Sequence, residues 1–329
     1  MNADRSAGAA VTQATSSHKD FLSILNFEAA DLERCLRLAA QLKADRSLGR
    51  LAPTADALNG RHVALLFDKP SLRTRTTFEI AVHELGGHMV AVQANVALGR
   101  REPVADVARN LERWVDAVVI RTFSQCVVEE FARATSRLHV INALTDSEHP
   151  CQAIADFLTL QEHVGTLRGR TIAYVGDGNN VATSLVHAAA VLGVHVHVAS
   201  PERYQLPHAV VQQATARARH GARLRLFHEA VDAVAGADVV YTDTWTSMGQ
   251  ESEADVRREI FAPFQVNEEL MALARPGALF MHCLPAHRGE EVTAEVFESE
   301  ASVVFDQAEN RLHGQKALLL MLLAPTASI

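Results

Sequence analysis

The chain has 329 residues, 48% of them hydrophobic and 21% charged, a balance that suits about two folded domains and excludes a disordered polymer. Lys and Arg total 31 against 39 Asp and Glu, and the formal net charge of −8 argues against a nucleic-acid binder that works through overall positive charge. No apolar run approaches the ~20 residues that span a bilayer. The four cysteines (Cys35, Cys126, Cys151, Cys283) form no CxxC pair, so reduced thiols in a cytoplasmic protein are expected rather than disulfides or a zinc knuckle.

Residues 1–19 are rich in Ala, Ser and Thr without an apolar core and read as a disordered tail, not a secretory signal. Asp4 and the solitary Arg5 argue against a transit peptide. Helical spacing then links Leu22, Leu25, Leu32, Leu36, Ala39 and Leu42. The buried run 62–67 reads as a strand, followed by a helix over 76–85 that stops at Gly86-Gly87. Strand 88–92, helix 104–114, strand 117–120, a helix through 129–134 and strand 139–142 continue the alternation. A helix over 151–164 precedes a second βα series. This series runs through strand 171–175, helix 182–192, strand 194–199, helix 208–219, strand 223–227, a helix near Val231 and strand 238–241. Strands over 278–282 and 302–305 and a final helix from about Asn310 end the pattern. Alternating βα units predict an α/β protein with two doubly wound parallel-sheet domains. The expected divisions are 20–150, 151–307, and a C-terminal helix over 308–329 that packs back on the first domain.

Gly176-Asp177-Gly178 sits in the strand–turn–helix context of a dinucleotide site. However, Val181 occupies the third glycine position of GxGxxG, and the next strand ends in Ala199-Ser200-Pro201 without an acid for a ribose. Asn179 and Asn180 are better candidates there, for a small polar ligand. Ser71-Leu-Arg-Thr-Arg75 lies between a strand and a helix, where free N–H groups, hydroxyls and a forked guanidinium make a phosphate or carboxylate cradle. The plainer reading is a solvated helix start capped by Ser71. Arg121, His149-Pro-Cys-Gln152, Asp243-Thr-Trp-Thr-Ser-Met-Gly249 and His282-Cys-Leu-Pro285 also follow strands, where open α/β sheets bind ligands. His149 with Cys151, or His282 with Cys283, matches no common zinc spacing, so no metal is expected. Cys283 as a covalent nucleophile lacks a base at fixed spacing.

Taken in order, Ser71-Leu-Arg-Thr-Arg-Thr-Thr-Phe-Glu79, Leu98-Gly-Arg-Arg-Glu-Pro103, His149-Pro-Cys-Gln152, Gly176-Asp-Gly-Asn-Asn180, Asp243-Thr-Trp-Thr-Ser-Met-Gly-Gln-Glu251, His282-Cys-Leu-Pro-Ala286 and Ala308-Glu-Asn-Arg-Leu-His313 resemble the ornithine carbamoyltransferases. The likeness runs from about Phe21 to Leu322. The Ser-x-Arg-Thr-Arg and His-Pro-x-Gln segments are shared with aspartate carbamoyltransferases; Ser-Met-Gly and His-Cys-Leu-Pro favour ornithine.

The resemblance implies that carbamoyl phosphate is held by Ser71, Leu72 through its N–H, Arg73, Thr74, Arg121, His149, Gln152 and Arg311, with Cys283 and Leu284 beside it. It implies ornithine contacts at Asn180, Asp243, Ser247 and Met248, and catalytic roles for Arg73, Thr74, Arg121, His149 and Cys283. Arg73, Arg75, Arg121 and Arg311 are expected around one cleft, so a net-acidic chain can still concentrate positive charge. No cofactor, nucleic acid or membrane partner is implied. The family assembles as trimers, so a homotrimer or a multiple of trimers is implied. Leu72 replaces the usual Thr, and Ala97 stands where the family usually offers a Gln from a neighbouring subunit. Carbamoyltransferases for N-acylornithine or putrescine are the nearest alternatives, and they alter the Ser-Met-Gly region that is intact here.

Overall fold

The computed structural model describes residues 18–93, 101–247 and 249–325. Most of the expected tail, Ala97 and Met248 lie outside the described residues. The apolar pattern at 22–42 resolves into two pieces rather than one helix. Ser23 caps a short 3-10 turn at Ile24–Asn26, and α1 (Ala29–Ala44) follows. The cause lies just upstream: Phe21 donates to Val140 and accepts from Asn142, which fixes extended backbone before the turn.

Next come β1 (His62–Phe67), α2 (Leu72–Glu84), β2 (His88–Gln93), α3 (Val104–Leu111), β3 (Ala117–Arg121), α4 (Gln125–Ala134) and β4 (His139–Leu144). The strands form a parallel sheet in the order β2-β1-β3-β4. Val63, Ala64, Leu65 and Leu66 are all buried, because helices cover both faces of β1. After α5 (Pro150–Val164) the series restarts with β5 (Thr171–Val175), α6 (Asn180–Leu192), β6 (His195–Ala199), α7 (His208–Arg217), β7 (Leu224–Phe227), α8 (Ala230–Val234) and β8 (Val239–Thr242). Then come α9 (Ala254–Phe261), α10 (Glu268–Met271), β9 (Leu279–His282), α11 (Ala294–Phe297) and α12 (Val304–Leu323). The second sheet is also parallel, in the order β7-β6-β5-β8-β9.

The two-sheet α/β expectation is met, with corrections near the C-terminal end. Residues 302–305 are not a strand: Ser302 makes a single bridge to Phe280, and Val304 already opens α12. The final helix therefore starts at Val304 rather than near Asn310. Its first turns bury the polar Gln307, Asn310 and Arg311, which hides the helix from a reading based on apolar spacing. Helices α9, α10 and α11 carry no such signal either. Each is short and buries one or two side chains, too few for a 3.6-residue period to show.

Among the described residues, three apolar clusters form the core. One lies on the outer face of the first sheet, with Ala64, Leu66, Val118 and Phe131, and one on the outer face of the second, with Ala173, Val240 and Phe280. The third is shared: it joins Val63 and Leu65 of β1 to Ile172 and Tyr174 of β5 through α1, α2, α5, α6 and α12. Helix α12 packs against α1, α2 and α5. Each sheet reverses its winding once, between β1 and β3 and between β5 and β8. Crevices at such reversals, beyond the strands' carboxyl ends, are where open α/β sheets take ligands.

Candidate active site

Both reversals open on one cleft of about 850 Å³. Its wall includes Ser71, Leu72, Arg73, Thr74, Arg121, His149, Asn180, Asp243, Ser247, Cys283, Leu284 and Arg311, which come from segments far apart in the chain. Gln152 does not reach the wall; it stands behind Arg311, whose Nη1 donates to Gln152 Oε1. Arg75 is a correction. It is exposed and paired with Glu79 at 2.8 Å on the surface of α2, away from the cleft wall.

The first-sheet side is cationic. Ser71 caps α2 by accepting from the Thr74 N–H at 3.2 Å, so the capping reading of Ser71 holds alongside its place in the cleft. Arg73 follows in the first turn, half-buried, and Thr74 is buried against Arg311, whose Nη2 donates to Thr74 Oγ1 at 2.6 Å. Arg121 ends β3 where its register with β4 slips. Burial, then the neighbouring Arg311 and Arg73, pulls the Arg121 guanidinium down to about 10. His149 precedes Pro150 at the start of α5. Burial and the three guanidiniums of Arg311, Arg121 and Arg73 hold its imidazole well below the usual value, hence neutral.

Among the described residues, Arg121 Nε, Arg311 Nε and His149 Nδ1 are buried without a hydrogen-bond partner. Buried polar atoms are rarely left so, and like charges gathered this closely repel one another. An anion with several oxygens would satisfy both conditions at once. Lys69 adjoins the cradle without any sequence signal that marks it. It is buried, 2.6 Å from Asp146 and 4.0 Å over the Phe123 ring.

The second-sheet side is acidic and already satisfied. Asp243 follows β8; its Oδ2 accepts from Asn179 Nδ2 at 2.8 Å and its Oδ1 from the Cys283 thiol at 2.9 Å. Burial first, then Asp243, pushes the Cys283 thiol well above its ordinary value, so it keeps its proton. Asn179 caps α6 by accepting from the N–H groups of Val181 and Ala182. It is therefore spent inside the protein, and of the two asparagines Asn180 is the better placed for a ligand, although its amide donates to the Thr145 carbonyl. At Gly178 a Cβ would lie 2.4 Å from the Leu206 backbone nitrogen, so the glycine there lets protein backbone approach the turn closely. Buried Arg257 ties this turn to the loop after β8, donating to Asp177 and to the Trp245 carbonyl, each at 2.8 Å.

His282 and Glu291, both fully buried, fix the Cys283–Leu284 segment. The Leu284 N–H donates to His282 Nδ1 at 2.8 Å, which leaves the other ring nitrogen to donate to Glu291 at 3.1 Å. Leu284 itself has φ +61°, a conformation that side-chain-bearing residues hold only when their surroundings impose it. Asp243, His282 and Cys283 present ligand-type atoms within 4.8 Å of one another. These atoms are engaged in the hydrogen bonds just described.

Two family models match the chain: "Aspartate/ornithine carbamoyltransferase, carbamoyl-P binding domain" over residues 19–162, and "Aspartate/ornithine carbamoyltransferase, Asp/Orn binding domain" over residues 168–322. An ornithine carbamoyltransferase of Anoxybacillus flavithermus is 49% identical over 308 residues, covering 93% of this chain and 96% of that protein. One of Carboxydothermus hydrogenoformans is 50% identical over 309 residues, covering 93% and 97%. The solved ornithine carbamoyltransferase of Pyrococcus furiosus superposes with a TM-score of 0.89 at 46% identity, covering 94% of this chain and 98% of that one. These matches extend across both sheets and α12, and on them the chain belongs to the aspartate/ornithine carbamoyltransferase family.

Proposed function

We propose that the protein transfers the carbamoyl group of carbamoyl phosphate to the δ-amine of L-ornithine, giving L-citrulline and phosphate. The observation that carries this reading is a single cleft with unpartnered cationic and imidazole atoms on one side and the carboxylate of Asp243 on the other. Full-length relatives named ornithine carbamoyltransferase support it.

In this reading, residues 20–150 with Arg311 hold the phosphate and 151–307 hold the amino acid. Ser71, the Leu72 N–H, Arg73, Thr74 and Arg311 take the phosphate oxygens, with Gln152 bracing Arg311 from behind. Thr74, Arg121 and His149 face the carbamoyl oxygen. Asn180, Asp243, Ser247 and Met248 hold the α-amino and α-carboxyl groups, and Cys283 and Leu284 border the δ-amine. The neutral δ-nitrogen attacks the carbamoyl carbon, and charge builds on the carbamoyl oxygen as a tetrahedral intermediate forms. Donors preset around that oxygen are each worth ~10²–10³ in rate. A neutral His149 donates there without adding a fourth cation to the floor. The carbon–oxygen bond to phosphate then breaks, and the departing phosphate takes the amine's proton. Cys283 is poorly suited to that task because its thiol stays protonated beside Asp243.

No helix among the described residues is long and apolar enough to cross a membrane. A cytoplasmic setting is proposed on the four free, widely spaced cysteines. A homotrimer is proposed on the family resemblance. Light scattering of the purified protein tests the assembly. Product release from carbamoyl phosphate with ornithine, aspartate, N-acetylornithine and putrescine in parallel tests the reaction. Absence of citrulline with ornithine, or faster turnover of another acceptor, overturns it.

A further inference from the structure

Behind the cleft, one buried carboxylate joins its two sides. Asp156 lies in α5 and is 2% exposed. Its Oδ1 accepts from Gln152 Nε2 at 2.8 Å and from Gln307 Nε2 at 2.7 Å, and its Oδ2 accepts from the Tyr241 hydroxyl at 3.2 Å. Gln307 Nε2 also donates to the Tyr241 oxygen at 3.0 Å. A carboxylate can only accept, so both glutamines must turn their NH₂ groups toward it and their carbonyl oxygens away. Those oxygens then do different work. Gln152 Oε1 accepts from Arg311 Nη1 in the cationic floor, and Gln307 Oε1 accepts from the His282 N–H at 3.0 Å, one residue before Cys283. Tyr241 stands two residues before Asp243.

We propose that Asp156 is a positioning residue: by accepting from both Gln152 and Gln307 it sets the direction of the two amides, and so holds Arg311 and the strand ends carrying Asp243 and Cys283 in one geometry. Packing alone does not call for this arrangement. Burial pushes the Asp156 carboxyl up to about 6, against the donors Gln152, Gln307 and Tyr241 and the charge of Arg311, so an apolar or amide side chain would fill the same space at less electrostatic cost. What a carboxylate alone supplies is an acceptor that cannot reverse. Leucine in its place would remove that acceptor from both glutamines, and with it what turns their carbonyls toward Arg311 and His282; asparagine can keep its oxygen opposite both glutamines and set its NH₂ against the Tyr241 oxygen, which can accept.

The inference rests on the carbamoyltransferase reading, and the experiment separates the two. Steady-state citrulline formation is measured with each substrate varied for the wild type, Asp156→Leu and Asp156→Asn. Failure of the wild type to form citrulline sinks the functional reading itself. Given wild-type turnover, Asp156→Leu is expected to raise KM for both substrates about tenfold and to lower kcat, since hydrogen bonds to charged groups are disturbed on both sides. Asp156→Asn, which can keep an oxygen opposite both glutamines, is expected to stay within about threefold of wild type for both substrates. A folded Asp156→Leu with both KM values within about twofold and kcat unchanged reduces Asp156 to a packing group, as does an Asp156→Asn that loses as much as Asp156→Leu. If Asp156→Leu does not fold, its two partners decide: Gln152→Met raising KM for carbamoyl phosphate alone and Gln307→Met raising that for ornithine alone, each about threefold or more, support the inference, and no change in either overturns it.

Discussion

The strand ends of the two sheets occupy equivalent positions in equivalent topologies, yet their chemistry is opposite. Beyond β1 and β3 stand Arg73 and Arg121, joined by Arg311, with buried nitrogen atoms that have no partner among the described residues. Beyond β5 and β8 stand Asp177 and Asp243, whose carboxylates are engaged by Arg257, Asn179 and Cys283. Winding reversal explains why a crevice forms at each place; only the side chains decide what enters it. The cationic side offers donors without partners, whereas the Asp243 carboxylate already accepts two hydrogen bonds and has lone pairs left for more.

The unpartnered donors give the largest expected contrast. Calorimetry on the free protein should show carbamoyl phosphate binding more tightly than ornithine, and weakening as salt is added; tighter binding of ornithine would erase the distinction between the two sides. Next, in the proposed reaction Arg121→Ala removes a donor to the developing charge, and it is expected to cost ~10²–10³ in kcat with the circular dichroism spectrum unchanged. Asp243→Asn is expected to raise KM for ornithine ~10- to 100-fold while leaving that for carbamoyl phosphate alone, because one charged hydrogen-bond acceptor is lost on one side only. Equal effects on both substrates would show that the sides are not separate.

Cys283→Ser sharpens the comparison further. The thiol acts as a donor to Asp243, and a hydroxyl can do the same, so activity is expected to stay within about tenfold of wild type. A loss of ~10³ or more would point instead to the sulfur taking part covalently.

The smallest effect concerns pH. The folded His149 stays neutral where the unfolded one takes a proton, so the unfolded state binds more protons below about pH 6.5. Stability from this residue is therefore present above that pH and is lost as pH falls through it, by ~1 kcal/mol per pH unit. Urea midpoints at pH 7.5 and 5.5 should differ less in His149→Gln than in wild type.

The strands were legible almost residue for residue where both faces are covered, since 62–67 and 171–175 are continuous apolar runs bounded by turns. Most residues that line the cleft were legible from their places at strand ends and from the motif order. What escaped was whatever depends on contact between distant segments. Ser302 and Val304 look like part of a strand until α12 is seen to bury Gln307 and Arg311. Arg75 looks equivalent to Arg73 in sequence, but α2 turns it to the surface beside Glu79. Asp156, inside an apolar helix, gave no local sign that it would meet Tyr241 and Gln307.

The shared central core has a practical consequence for protein engineering. Each sheet has its own reversal and its own charge, which invites the idea of exchanging the amino-acid half for that of a relative with a different acceptor. The seam does not follow that division. Helices α1, α5, α6 and α12 carry side chains from both halves into one apolar cluster, and Arg311 of α12 reaches Thr74 of α2. A graft cut between the sheets would leave mismatched volumes in that cluster and a displaced guanidinium in the floor. A chimera that keeps α12 with α1 and α2, and changes only the loops after β5 and β8, respects the units in which this protein is built.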